Sequence, residues 1–214
     1  MLARERALQV ALAEAAKHVH EEGGDNTGPR VRQYQAASSL GGTGWAWCDA
    51  FCDFCFDEAG RPLTELHRSA GVELSYDLAK QLGWVVPSPA AGDLVGFQWD
   101  SGDLDHIGIV VEPQGDGTIK TVEGNTSPMP GTGQAQGEGD GVYVKTRPRN
   151  VCAAFIRVPG NVIRPVIEQF RPGNSAACVR QIVGIRLSLQ IEGHADKPEP
   201  VPQRFGEPLR QVRV

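Results

Sequence analysis

The sequence predicts an α+β fold, and three observations carry that expectation. Up to about residue 82, apolar residues recur at helical spacing. After Pro87 the pattern changes to period two, punctuated by glycines, as in short antiparallel strands. Between these regimes lies one dense apolar run, Gly44-Trp45-Ala46-Trp47-Cys48-Asp49-Ala50-Phe51-Cys52-Asp53-Phe54-Cys55-Phe56-Asp57-Glu58-Ala59-Gly60. Helices first and antiparallel strands second are the order of an α+β domain.

The elements follow in chain order. Residues 3–21 read as an amphipathic helix, with Leu8, Leu12, Ala15, Ala16 and Val19 on one face. His18 and His20 stand two apart and so point to different sides of a helix, which argues against a metal pair. Gly23 to Gly28 form a loop, and Pro29 opens a second helix to about Ala37 with Val31 and Tyr34 inward. Gly41, Gly42 and Gly44 lead into the central helix, about 48–59, which Gly60 and Pro62 stop. A fourth helix is expected around Ser75–Leu82. Strands are expected at Asp93–Gln98, Ile107–Glu112, Thr118–Glu123, Val142–Arg147 and Ala153–Val158, with Gly115-Asp116-Gly117 as a hairpin turn. Thr126–Gly141 is rich in Gly, Pro, Gln and Ser and reads as a long loop. Beyond about Gly160 the register weakens. Ala176–Ile191 fits a strand or a helix, and Lys197–Pro202 a Pro-rich extended tail. The expected division is a domain at 1–159 and a C-terminal extension at 160–214.

Composition narrows the class. Hydrophobic content of 40% and charged content of 22% are those of an ordinary soluble protein. A net charge of -5 argues against a nucleic-acid partner. Five cysteines, three of them on one helix, do not form a secreted disulfide framework. No leader pattern opens the chain and no apolar run reaches the ~18 residues that span a membrane. Synthesis in a cytoplasm without a signal peptide, and no membrane partner, are therefore expected.

Cys48, Cys52, Cys55 and Ala59 are spaced to form one stripe along the central helix. Cys48 falls in its first turn, where unpaired N–H groups and the helix dipole favour the nucleophilic thiolate. Three readings compete: a buried core cysteine, an iron–sulfur site of C-x3-C-x2-C spacing, and a catalytic nucleophile. The cluster needs an irregular loop, whereas the residues between these cysteines keep helical register. The nucleophile needs a His and an orienting polar group. His106 is the one His among the strands, in Asp105-His106-Ile107-Gly108-Ile109, placed to point from the sheet end toward a cleft. A hairpin returns Glu123 and Asn125 to that end, on the same side if the strand runs that far.

These stretches resemble the CHAP domain, the cysteine, histidine-dependent amidohydrolase/peptidase group, close to the NlpC/P60 peptidases. The resemblance rests on Gly44–Phe51, on Pro89-Ala90-Ala91-Gly92-Asp93-Leu94-Val95, on Asp105–Val110 and on Glu123-Gly124-Asn125, in this order. Asn26-Thr27-Gly28-Pro29-Arg30-Val31 resembles the segment before the nucleophile in phage-type members. The likeness covers about residues 5–158 and implies a papain-like fold. It implies Cys48 as nucleophile, His106 as general base and acid, Glu123 as the group that orients it, and Asn125 as a polar fourth member. No cofactor is implied. Some members bind calcium through an Asp-rich loop before the nucleophile, but residues 41–47 carry no carboxylate, so no metal is expected there. Trp45, Trp47 and Trp99 are expected either to wall the cleft or to pack in the core.

The implied function is cleavage of an amide of bacterial peptidoglycan, by an amidase or an endopeptidase of stem peptide or cross-bridge. The expected setting is a monomeric phage or prophage lysin, released by a holin or carried on a virion. The alternatives are an injected antibacterial effector with the same chemistry and a non-catalytic virion component.

Overall fold

The computed structural model describes residues 1–99, 102–128 and 139–160. The expectations for 161–214 and for the middle of the Thr126–Gly141 loop lie outside the described residues. Four α-helices come first: α1 (Ala3–Ala15), α2 (Pro29–Gln35), α3 (Cys48–Glu58) and α4 (Val72–Gln81). Five strands follow: β1 (Leu94–Phe97), β2 (His106–Pro113), β3 (Thr118–Thr126), β4 (Gly141–Pro148) and β5 (Cys152–Ile156). Among the described residues they form one antiparallel sheet of order β4-β3-β2-β1-β5. The α+β class and the helix-on-sheet architecture are those the sequence predicts.

α3 is the buried axis of the helical layer. Ala50, Phe51, Cys52, Cys55 and Phe56 are fully buried on it. It packs on β2 and β3 on one side and on α1 and α2 on the other. Burial of each of the two phenylalanines contributes about 1.5–3 kcal/mol. Gly60, at φ 73, takes the left-handed turn that ends the helix. Leu94, Ile107, Ile109 and Val122 meet the helices on one sheet face. Val95, Phe97, Val110, Ile119 and Phe155 form a second, smaller core on the other.

α1 differs from expectation. It stops at Ala15 rather than near Glu21, because the chain beyond it pairs with the sheet. Val142 N–H donates to Val19 C=O at 3.2 Å, and Glu21 N–H to Asp140 C=O at 2.7 Å. Its buried face is also rotated, to Ala7, Leu8, Ala11 and Glu14. The small alanines let α1 lie close to α3, and buried Glu14 is held by Arg30, Lys17 and the Tyr34 hydroxyl. Burial works against its charge, but these donors outweigh it and bring the carboxyl down to about 2.

Candidate active site

The approach to Cys48 is fixed from behind. The buried Gln35 amide donates to Asn26 C=O at 3.0 Å and to Trp45 C=O at 2.9 Å, tying the preceding loop to α2. Trp47 is the N-cap of α3 and makes no side-chain cap, so no capping side chain accepts from the first N–H groups of the helix. Cys48 is the first helical residue and is 5% exposed.

His106 opens β2, paired with Phe97 of β1. It does not point into open solvent. It is wholly buried, stacked beside Phe97 at 5.7 Å and Trp99 at 6.4 Å between ring centroids. Nε2 meets Glu123 Oε2 at 3.1 Å, which assigns the ring proton to Nε2. Nδ1 makes no hydrogen bond. Burial lowers the proton affinity of the ring, but the Cys48 thiol and then Glu123 outweigh it and raise the pKa to about 9. Cys48 thus acts on the ring from hydrogen-bonding range and through its charge, and the alignment is of the kind that tightens when substrate binds.

Glu123 is saturated with donors. Oε1 accepts from Thr121 Oγ1 at 2.6 Å and Arg147 Nε at 3.0 Å. Oε2 accepts from Arg147 Nη2 at 2.5 Å and from His106. Burial raises its pKa, but Arg147 and His106 prevail and hold the carboxyl near 2. Gly108 makes this reach possible, because a Cβ there would stand 2.6 Å from Glu123 Cγ. Gly124 brings β3 against the first turn of α3, where a Cβ would stand 2.6 Å from Phe51 Cγ and 2.8 Å from Trp47 Cζ3.

Asn125 is not in regular strand alternation with Glu123. Its φ is +55, and the β3–β4 register shifts between Glu123 and Thr126, so the alternation is broken. No hydrogen bond joins it to His106. Its Nδ2 is buried without a partner.

The three tryptophans separate. Trp47 belongs to the core: it is fully buried, stacked on Tyr34 at 5.4 Å, with its indole N–H on Glu21 Oε1 at 2.8 Å. Trp45 is half-buried and donates to Gly41 C=O at 3.0 Å. Trp99 stands by His106 under the Arg147 guanidinium, and its indole N–H is buried without a partner. Cys52 and Cys55 are fully buried, and burial pushes both thiols up. They fill the core, as their helical spacing implies.

Residues 40–125 match the family model of the CHAP domain. Over these residues the chain is similar to a CHAP domain. No curated protein and no solved structure matches the chain. CHAP domains are cysteine- and histidine-dependent amidohydrolases or peptidases, a peptidoglycan hydrolase family. The match spans Cys48, His106, Glu123 and Asn125 and ends before β4.

Sequence reasoning missed Arg147, which lies on β4, outside the part similar to a CHAP domain. The signal was present in the strand period. Tyr143, Lys145 and Arg147 alternate onto one face, and a cation inside a strand calls for a buried counter-charge.

Proposed function

We propose that this CHAP-like domain hydrolyses an amide of bacterial peptidoglycan, with Cys48 as nucleophile and His106 as general base and acid. The observation that carries the reading is one polarised chain of side chains. Arg147 and Thr121 hold Glu123, Glu123 holds Nε2–H of His106, and bare Nδ1 is left beside a thiol at an uncapped helix start.

The chemistry balances without a further group. Nδ1 takes the Cys48 proton, and the sulfur attacks the amide carbonyl carbon. N–H groups of the first turn of α3 stabilise the oxyanion, at about 3 kcal/mol per donor. The imidazolium then protonates the leaving nitrogen, the C–N bond breaks, and a thioester remains. Water, deprotonated by His106, attacks the thioester and frees the acid and the thiol. Trp99 stacks beside His106 and backs its ring. The phage-type segment Asn26–Val31 supports a lysin as the setting.

Mass spectrometry of fragments released from purified cell walls tests the reading. The wild-type chain is expected to release soluble fragments, and their new termini name the bond: a free L-Ala amine for an amidase, a cut stem or bridge for an endopeptidase. Cys48→Ser is expected to release none above background. Equal release by both proteins would remove Cys48 from the mechanism.

A further inference from the structure

We infer that the cavity walled by the Glu21–Asn26 loop, Ala46 and Asn125 is a subsite for a primary ammonium group on the peptide part of the substrate. This inference rests on the hydrolase reading above and deepens it. The cavity measures about 370 Å³, and its lining includes Glu21, Asp25, Asn26, Ala46, Asn125 and Asp140. Three of these are carboxylates, and no Lys or Arg lines it among the described residues.

The acidic wall is anchored. Glu21 Oε1 accepts from the Trp47 indole at 2.8 Å, and Oε2 from Asn26 N–H at 2.8 Å. Asp140 is pinned through its backbone, which accepts from Glu21 N–H at 2.7 Å. Its side chain accepts from the Tyr143 hydroxyl at 3.1 Å and stands 3.7 Å from His20 Nδ1. Asp25 is exposed.

The second observation is independent of charge. Asn125 is 1% exposed, and its Nδ2 has no hydrogen-bond partner. A buried donor left unpaired is costly, and its presence on a cavity wall points to an acceptor supplied by a ligand. Carboxylates that attract a cation, next to a donor that wants a carbonyl or carboxylate, match an amino-acid unit with a free amine. Sugar hydroxyls offer no such charge. The position fits as well, since Ala46 lies two residues before Cys48 and Asn125 two after Glu123. Two amines qualify in a stem peptide: the side-chain amine of its diamino acid and the amine at a peptide N-terminus.

The test uses the full chain as Cys48→Ser, so that ligands stay uncut, and calorimetric titration with a lysine-containing stem tetrapeptide. Three further ligands carry an acetyl group on the side-chain amine, on the N-terminal amine, or on both. Blocking the recognised amine is expected to weaken binding about tenfold, the size of one lost charge-assisted contact. The singly blocked peptides tell which amine it is. Asp25→Asn combined with Asp140→Asn is expected to abolish that preference. Equal affinity for the free and doubly acetylated peptides, no binding of the free peptide, or a preference that survives in the Asn variant would overturn the inference. Failure of the hydrolase reading shows separately, as absent fragments in the wall digest.

Discussion

Glu123 and Arg147 form a fully buried pair, and changing either alone removes the charge that balances the other. Glu123→Gln is therefore expected to cost about 3–5 kcal/mol of stability. It is also expected to slow hydrolysis by about 10²–10⁴-fold. The sign of its pH effect is fixed. Glu123 helps raise His106 from 6.5 to about 9, so without its charge the imidazolium gives up its proton earlier. The alkaline limb of the pH–rate profile should move down. Arg147→Met should move the same limb up, because the Glu123 charge then acts on His106 uncompensated. A purely structural Arg147 would lower stability and leave the limb in place. Asn125→Ala, with no bond to His106, should leave the limb where it is.

At the scale of elements, two glycines set the distances. Gly108→Ala is expected to push Glu123 away from His106, with about 1–3 kcal/mol lost and the alkaline limb lowered as in Glu123→Gln. Gly124→Ala drives β3 into Phe51 and Trp47, so thermal melting should fall while the limb stays fixed. Paired melting curves and pH–rate profiles of the two variants separate these effects. α3 was legible because its cysteine and phenylalanine stripe keeps one period from end to end. The strands were legible because Gly and Pro bound each alternating run. The end of α1 was not, since residues 19–21 lose helical register to a pairing with the start of β4, more than a hundred positions away. Nor was the turn at Asn125, where a left-handed backbone breaks an alternation that continues in the letters. Arg147 was missed although its strand period put it on one face with Tyr143 and Lys145, because its buried counter-charge Glu123 sits on a different strand.

For the whole molecule, the buried charges set where stability is greatest. Glu14 and Glu123, lowered from 4.5 to about 2, contribute stability that is full above 4.5 and lost as pH falls toward 2. His106, raised from 6.5 to about 9, contributes stability that is full below 6.5 and lost as pH rises through 9. Burial, with Asp49 nearby, raises Asp53 from 3.8 to about 9, so its ionisation favours the unfolded chain all the way from pH 3.8 to 9. Melting temperature is thus expected to peak near pH 4.5, where the two glutamates are ionised, and Asp53→Asn should flatten the decline above it. A decline unchanged in Asp53→Asn would remove that residue from the balance. The central claim is that His106 activates the Cys48 sulfur. Its most direct measurement is the rate of iodoacetamide labelling at each cysteine of the folded chain at neutral pH, read by peptide mass mapping. Cys48 is predicted to label fast, Cys52, Cys55 and Cys152 slowly, and His106→Ala to slow labelling at Cys48 alone. Labelling of Cys48 at the same rate with and without His106 would contradict the account.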